Sequence, residues 1–417
     1  MLSRRHFIQL GAGLAVGVAL DGCASTRRDL GASAASAPGS TPGSLGTASV
    51  AKHATGNVLV VVQLNGGNDA LNTLVPSDGR YRDARPTLAI PEADLVALRG
   101  VSDWSLHPSL APLAPYFAAG NASFLPGIGF DDPERSHFVA MDRWWRADAI
   151  GATTGWLGRV FDGDATAADT PLLATALGSG APQLRGQHFQ PATVLQPSSF
   201  ALPRLLDASL FTTAAHPTST SALVAQAQAA FLASIGAVGS FAELLGDPTS
   251  TSTDVATRAG GFDLVHGLDI AAKLAVSNLG VRVVVVSVGG FDTHANQAAT
   301  QKRLLADLGT GIDAFMKSIA AAGASDRVLL ATTTEFGRRV QQNGSEGTDH
   351  GAGGLSMMFG QMVAGGIRGA VDLGDLLDGD IRPSLDPRTL YTACLDWLGT
   401  DVESSLGKRY DQVALLA

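Results

Sequence analysis

Three uninterrupted apolar runs predict the buried strands of a parallel sheet. They read VLVVVQL at 58–64, RVVVVSV at 282–288 and RVLLATTT at 327–334. Each run is mostly β-branched or apolar over its whole length, which is typical of a strand that is covered on both faces. Shorter apolar runs at 123–128 and 355–359 predict two further strands.

Helical patterns separate these strands. Apolar side chains recur on one helical face in residues 263–280, and residues 297–322 carry a similar pattern. Strands that alternate with helices predict an α/β fold, with a doubly wound, mostly parallel sheet and helices on both faces. Residues from about 166 to 260 are instead rich in Ala, Ser and Thr. We expect them to form an insertion with one or two helices.

The first 23 residues have the layout of a twin-arginine export signal, with Arg4 and Arg5 followed by Phe7 and a short apolar run at 11–20. The alternative is a membrane anchor, but a spanning helix needs about 20 apolar residues. The pattern therefore predicts that the twin-arginine translocon exports the folded protein to the periplasm, the cell envelope or the medium.

Cys23 ends a stretch, LDGC at 20–23, that resembles a lipobox. A lipid on Cys23 would be the protein's link to a membrane, and the alternative is an ordinary cleavage site near Ala24. Residues 24–56 are rich in Ser, Ala, Gly and Pro, which predicts a disordered linker. The remainder, 57–417, predicts a single domain that carries the insertion.

Composition argues against two features. The 417 residues include only two cysteines, Cys23 and Cys394, and the first lies in the export signal, so a structural disulfide between them is not expected. The net charge is −9 and the sequence has no basic stripe. Nucleic-acid binding is therefore disfavoured.

Acidic and histidine side chains flank the predicted strands in four segments: Asp69, Asp292 with His294, Glu335, and Asp349 with His350. Ligands of open α/β sheets bind beyond the carboxyl ends of the strands, so we expect these side chains to converge. Carboxylates and imidazoles are ligands of Zn²⁺, Mn²⁺, Mg²⁺ and Ca²⁺, and the sequence therefore predicts a divalent metal site. Taken singly, each segment also has an interpretation as a turn, a helix cap or a surface ion pair.

Ser136 stands where an amphipathic helix is expected to begin. One interpretation is a catalytic nucleophile, because the positive end of a helix favours an anion and a neighbouring metal ion lowers the pKa of a hydroxyl group. Arg135 or His137 would then hold a phosphate-like group or act as an acid. The other interpretation is a helix cap, for which serine is well suited.

Eight stretches resemble the exported bacterial family catalogued as domain of unknown function 1501. They are LVVVQLNGGNDALNTLVP, HPSLAPL, FLPGIGF, RSHF, GWLGR, GGFDTH, EFGRR and TDHG, and with weaker similarity beyond them they extend over about 58–397. Together they are specific for the family and not for an activity. That family is placed in the alkaline-phosphatase and sulfatase superfamily, so the resemblance implies the fold of that superfamily.

The resemblance also implies a set of site residues. In the superfamily two metal ions are bound by an acid after the first strand, a nucleophile at a helix start, an Asp/His pair, an acidic ligand pair and a late histidine. The positions that match this pattern are Asp69, Ser136, Asp292 with His294, Glu335, and His350.

The sequence departs from this pattern in three ways. Phosphatases usually have Asp-His where this chain has Glu335-Phe336, so one imidazole is missing, and the Asp/His pair is more closely spaced. Asp349 is the candidate replacement, and a second metal ion is either absent or bound by oxygens. No Cys-x-Pro-x-Arg stretch lies near Ser136, which argues against the formylglycine chemistry of sulfatases.

Two classes of function remain. The first is a metal-dependent hydrolase of phosphate or sulfate esters that attacks a small anionic ester with Ser136. The second is a non-catalytic, envelope-associated binding or assembly protein that retains the fold, because one fold serves unrelated functions. The retained serine and acids favour the first class, and the missing imidazole favours the second.

Overall fold

The structure is a computed structural model that describes residues 56–149, 151–164, 166–167, 170–194, 241, 244 and 263–417. The predicted export signal, Cys23 and the predicted linker up to residue 55 lie outside the described residues. Most of the predicted insertion lies outside them too, since between 195 and 260 only residues 241 and 244 are described.

The described strands are β1 (Val58–Leu64), β2 (Leu74–Pro76), β3 (Val96–Ala97), β4 (Trp104–Leu106), β5 (Ala122–Ile128), β6 (Ala174–Leu177), β7 (Ala192–Val194), β8 (Val283–Val288), β9 (Val328–Thr333), β10 (Gly354–Phe359), β11 (Gly366–Ile367), β12 (Leu376–Leu377) and β13 (Asp380–Ile381). The described α-helices are α1 (Ala70–Thr73), α2 (Gly79–Ala84), α3 (Ala114–Ala118), α4 (His137–Arg146), α5 (Trp156–Phe161), α6 (Leu264–Val276), α7 (Gln297–Ala321), α8 (Pro387–Leu398) and α9 (Val402–Leu406). Short 3₁₀ helices cover Glu92–Asp94, Pro108–Leu113 and Pro182–Leu184. None of the helices described here has the length and apolar character that crossing a membrane requires.

An eight-stranded sheet forms the centre of the fold, in the order β11-β5-β10-β9-β1-β8-β6-β7. Its pairings are parallel except those of β10, which runs antiparallel to both β5 and β9. The carboxyl ends of β1, β8 and β9 therefore lie at the same edge as the start of β10. This reversal brings the segment before β10 to the edge where the other predicted site segments emerge.

Helices cover both faces of the sheet, as predicted. Along β1, the side chains of Val60 and Val62 belong to one buried apolar cluster, which includes Leu268 of α6 and Leu308 of α7. The alternating side chains Leu59 and Val61 belong to a second cluster, which includes Leu390 and Leu395 of α8. Both faces of this strand are buried, which explains why its sequence is continuously apolar. The doubly wound α/β fold is confirmed.

The structure differs from the predicted insertion at its beginning. β6 pairs with β8 and β7 pairs with β6, so both strands extend the central sheet although they lie within 166–260. β6 reads Ala-Thr-Ala-Leu. This run is too short, and too poor in β-branched residues, to be recognised as a buried strand from its pattern.

His107 belongs to the HPSLAPL stretch and caps the 3₁₀ helix Pro108–Leu113. Its Nδ1 accepts a hydrogen bond from the backbone N–H of Ser109 at 3.0 Å, and the residue is only 4% exposed. Burial, together with the positive charge of Lys302, lowers the pKa of His107 to about 4 from an ordinary value of 6.5. The unfolded chain therefore takes up this proton at a higher pH than the folded protein does.

This pKa difference predicts a loss of stability in acid. Because the folded pKa is the lower one, stability is present above pH 6.5 and is lost as the pH falls towards 4. We expect His107 to account for a decrease of roughly 2–3 kcal/mol in the free energy of unfolding. His107→Asn keeps a capping acceptor without this titration. Urea unfolding with a chelator present should give the variant a shallower pH dependence, and equal pH dependences would contradict the assignment.

Candidate metal centre

The loops after β1 and β8 approach each other so closely that only glycine fits between them. Gly66 has φ +112°, and a Cβ there would lie 2.3 Å from the backbone nitrogen of Asp292. Gly67 has φ +77°, and a Cβ there would lie 2.4 Å from the ring of Phe336. The Gly-Gly pair after β1 thus allows the loops carrying Asp292 and Phe336 to pack against the end of that strand.

Asp292 lies at the centre of the candidate site. Its Oδ1 lies 2.9 Å from Nε2 of His294 and 3.1 Å from Nε2 of His350, and its Oδ2 lies 3.4 Å from Nε2 of His137. His137, Asp292 and His350 each offer one ligand atom, and these atoms all lie within 4.8 Å of one another. The structure thus brings together three of the predicted metal ligands, and it adds His137, for which the sequence suggested a catalytic role.

Glu335 orients His137. Its Oε1 lies 2.6 Å from Nδ1 of His137 and accepts a hydrogen bond from the backbone N–H of Gly66 at 2.8 Å. Its Oε2 is buried and has no hydrogen-bond partner within the described part of the chain. Burial raises the pKa of Glu335, although the hydrogen bond with His137 opposes this effect. The residue was predicted to bind metal directly, but here it lies behind His137, where outer carboxylates lie in metal sites.

His294 and His350 are held in a similar way. Nδ1 of His294 lies 3.0 Å from Oδ1 of Asp349, and Nδ1 of His350 lies 2.8 Å from the backbone oxygen of Arg135. A neutral imidazole that donates from Nδ1 has a free lone pair on Nε2. The two Nε2 atoms face each other at 2.9 Å. In these tautomers the contact brings two acceptor nitrogens together.

The protonation states suit a metal ligand set. Burial raises the pKa of Asp292, but the hydrogen bond and the positive charge of Arg338 outweigh it and bring the value down to about 2. Burial lowers the pKa of His350, although its hydrogen bond to the backbone oxygen of Arg135 acts in the opposite direction. At neutral pH the carboxyl group of Asp292 is therefore ionised and the ring of His350 is neutral. These are the forms in which the two side chains bind a metal ion.

Arg338 is a buried cation at the centre of the site, a role that the sequence did not predict. Its side chain is 0% exposed, and its Nη2 lies 2.7 Å from Oδ1 of Asp292. Its guanidinium group also donates to the backbone oxygens of Gly66, Gly67, Phe291 and Thr348. Arg338 therefore holds together the loops that follow β1 and β8 and the segment that precedes β10.

Asp69 does not join this cluster. Its Oδ2 lies 2.6 Å from Nη1 of Arg85, and the side chains of Asp69 and Arg85 are 1% and 0% exposed. The same oxygen accepts from Nε2 of Gln297 at 2.5 Å, and Oδ1 accepts from the backbone N–H groups of Leu71 and Asn72 at the start of α1. The geometry gives Asp69 a buried ion pair and a helix cap. The predicted role as a metal ligand finds no support in these contacts.

Ser136 is the residue that precedes α4, as the sequence predicted, and its side chain makes no capping hydrogen bond. His137 follows it directly and contributes its ring to the cluster. Arg135 is only partly available to an anion, because its Nε and Nη2 donate to Oδ2 of the buried Asp380 at 2.9 and 2.5 Å. The Arg135 side chain remains 43% exposed. The hydroxyl group of Ser136, in contrast, is not engaged in a capping hydrogen bond at the start of α4.

Sequence reasoning missed Arg85 and Gln297, and it gave Arg338 no buried role. Asp69 and its partner Arg85 are 16 positions apart in sequence, and Asp69 and Gln297 are 228 positions apart. No periodicity or motif links such positions. The one available signal was an arginine pair, Arg338-Arg339, directly after a buried strand, where a charged side chain lies close to the sheet.

The chain matches the family model described as "Protein of unknown function (DUF1501)" over residues 57–412. None of the curated proteins matches it. Among solved structures it is similar to a protein in the alkaline phosphatase superfamily from Vibrio parahaemolyticus, with 6% identity, a TM-score of 0.37, and coverage of 86% of this chain and 70% of that chain. It is also similar to the lipoteichoic acid synthase LtaP from Listeria monocytogenes, with 9% identity, a TM-score of 0.37, and coverage of 88% and 78%. The TAB5 alkaline phosphatase mutant has 11% identity, a TM-score of 0.35, and coverage of 83% and 99%.

At these identities and TM-scores the solved structures carry no argument about the site, which stands on the geometry above. The family model, in contrast, covers most of the chain, from the first strand of the central sheet to the residues beyond α9. The chain therefore belongs to the DUF1501 family, as its eight sequence stretches implied.

Proposed function

We propose that the protein binds a divalent metal ion through His137, Asp292 and His350 and hydrolyses a small anionic ester of phosphate or sulfate. The observation that carries this proposal is the convergence of imidazole Nε2 atoms on one ionised carboxylate. Nε2 of His137 lies 3.4 Å from Oδ2 of Asp292, Nε2 of His350 lies 3.1 Å from Oδ1, and the three ligand atoms all lie within 4.8 Å of one another. Acceptors packed so closely attract a cation and repel one another without it.

The donor set favours Zn²⁺ among the ions compatible with the sequence. Mg²⁺ and Ca²⁺ prefer oxygen ligands, whereas Zn²⁺ is commonly bound by imidazole nitrogen together with carboxylate oxygen. His137 and His350 supply nitrogen and Asp292 supplies oxygen. Catalytic zinc sites typically have three protein ligands and keep one position for water or substrate.

Ser136 is the nucleophile in this proposal. A metal ion at the site would neutralise the oxygens of an anionic ester and lower the pKa of a coordinated hydroxyl group. The Oγ of Ser136 would attack the phosphorus or sulfur atom and release the alcohol, and water would then hydrolyse the seryl ester and restore the hydroxyl group. The N–H groups at the start of the ten-residue helix α4 would face the negative oxygens of the substrate.

A second candidate function is metal binding without catalysis, in an envelope-associated binding or assembly protein. The observation that favours it is the Asp69–Arg85 ion pair, whose side chains are 1% and 0% exposed. The resemblance assigns Asp69 to a metal ion, and the ion pair withdraws it from that role. Without Asp69, the site has fewer metal ligands than the resemblance implies for a catalytic site.

Ser136→Ala separates these two functions. We expect it to reduce ester hydrolysis by orders of magnitude and to leave the metal content unchanged, since a nucleophile acts in the chemical step. Its effect on stability should be smaller than the ~1 kcal/mol that is typical of a lost cap, because the Ser136 hydroxyl makes no capping bond. The assay is a panel of chromogenic phosphate monoesters, phosphate diesters and sulfate esters, with metal analysis and thermal unfolding of the same samples.

Ser404→Ala is the matched control, because Ser404 is an exposed serine in α9. The control should retain full activity. A Ser136→Ala variant that is equally active would remove Ser136 from the mechanism. If wild-type protein binds metal and hydrolyses none of the esters, metal binding without catalysis becomes the better account.

We also propose that the protein acts in the periplasm or cell envelope after twin-arginine export. The support is Arg4-Arg5 and the short apolar run that follows. A lipid on Cys23 would retain it at a membrane, and an ordinary cleavage near Ala24 would release it. In either case the small ester substrate or the binding partner is one that is found outside the cytoplasm.

A further inference from the structure

Arg338 stands where a second metal ion would need its ligands. Its Nη2 lies 2.7 Å from Oδ1 of Asp292, and its Nη1 lies 3.5 Å from Nε2 of His294. A second ion on this side of Asp292 would use the same oxygen and the same nitrogen. A guanidinium group and a divalent ion at one pair of atoms would repel each other strongly at such distances.

Arg338 is fixed in this position. Its side chain is 0% exposed. All three nitrogens of its guanidinium group donate to oxygens, which include the backbone oxygens of Gly66, Gly67, Phe291 and Thr348. A movement of Arg338 would leave buried carbonyl groups without partners, and an arginine does not lose its proton inside a protein. Its positive charge is therefore permanent.

Asp69 offers a second ion no free lone pair either. An ionised carboxylate has about four acceptor positions. Around Asp69, donors occupy both oxygens: the backbone N–H groups of Leu71 and Asn72 bond to Oδ1, and the side chains of Arg85 and Gln297 bond to Oδ2. Asp69, after β1, is thus paired with the buried Arg85, and Asp292, after β8, is paired with the buried Arg338.

From these contacts we infer that the centre takes one divalent ion per chain and that Arg338 serves as its second positive charge. The inference rests on the proposed metal site. Oδ2 of Asp292 lies 3.4 Å from Nε2 of His137. Oδ1 is the oxygen that Arg338 contacts, so the side of His137 remains open to one ion, with His350 as the third ligand. Arg338 is a positioning residue, because its 2.7 Å contact fixes Oδ1 of Asp292 while Oδ2 faces His137.

Metal stoichiometry tests this inference without any measurement of activity. Metal-free wild-type protein is titrated with ZnCl₂, and the bound ions are counted by native mass spectrometry and by elemental analysis after gel filtration. We expect saturation at one ion per chain. Saturation at two ions per chain would overturn the inference and leave the proposed metal site intact. Binding of no ion would overturn both.

Two histidine variants locate the ion. His350→Gln should weaken Zn²⁺ binding more than about 100-fold, because it removes a ligand, whereas His294→Gln removes an outer partner and should weaken it by no more than about 10–100-fold. The same titration measures both. A loss of one of two bound ions in His294→Gln would show that His294 holds a second ion and would contradict the inference. Arg338→Gln leaves several buried carbonyl groups unpaired and is expected to fold poorly, so the histidine pair is the sharper test.

Discussion

Asp292→Asn is expected to abolish metal binding and to reduce ester hydrolysis to the background rate. The substitution keeps the size of the side chain and removes the charge that the histidines and Arg338 surround. Both oxygens of Asp292 face proposed ligands, with Oδ1 at 3.1 Å from Nε2 of His350 and Oδ2 at 3.4 Å from Nε2 of His137. A neutral amide supplies at most one weak oxygen ligand, so the affinity loss should exceed the 10–100-fold typical of an outer partner.

Asp349→Asn is the matched control for this prediction. Asp349 is also an acid of the site, and its side chain is 56% exposed and lies 3.0 Å from Nδ1 of His294. Because His294 is not a ligand of the single ion, this variant should retain the ion with less than about a tenfold loss of affinity. Equal losses in the two variants would mean that general charge, and not ligation by Asp292, holds the metal. Circular dichroism should show that both variants are folded.

Arg85→Met is expected to destabilise the protein by about 3–5 kcal/mol, because removal of one member of a buried ion pair leaves the other charge without a partner. The pair is 0% and 1% exposed, with an N–O distance of 2.6 Å. Arg85 also donates to Asn72 and to the backbone oxygen of Val340. Methionine fills much of the same space, so the loss arises mainly from unpaired polar groups. Urea unfolding of metal-free protein measures it.

Asp69→Asn completes this test, because an asparagine keeps an acceptor for the N–H groups at the start of α1. The double variant Arg85→Met with Asp69→Asn should be less destabilised than the sum of the single variants, since the two charges compensate each other. Where they fold, Asp69→Asn and the double variant should each still bind one metal ion. A folded Asp69→Asn protein that loses its metal would restore Asp69 as a ligand.

The strands of the sheet were predictable because parallel strands are buried on both faces. β1 has the predicted bounds, and β8 and β9 lie within the predicted runs. The helix after the insertion was predictable too, because apolar side chains recur on one helical face in residues 263–280, and α6 begins directly after Asp263, which accepts from Val265 N–H at 2.9 Å. Such signals are local, and each depends on a few neighbouring residues. β6 and β7 lack them because they are short.

The convergence of Asp292, His294 and His350 was predictable from their positions beside strands. The direction of β10 was not, since an apolar run reads the same in both directions, and only the antiparallel pairing brings His350 to the correct edge. The roles of Asp69 and Glu335 depended on partners far away in sequence. For Asp69, the local interpretation as a turn residue was closer to the structure, in which it caps α1.

The proposed function depends above all on a metal ion bound by His137, Asp292 and His350. A crystal structure of the Zn²⁺-loaded protein, with data collected on both sides of the zinc absorption edge, tests it most directly. We expect one anomalous peak per chain, about 2.0–2.2 Å from Nε2 of His137, Nε2 of His350 and a carboxylate oxygen of Asp292. A peak at other residues, or no peak in protein soaked with excess Zn²⁺, would contradict it.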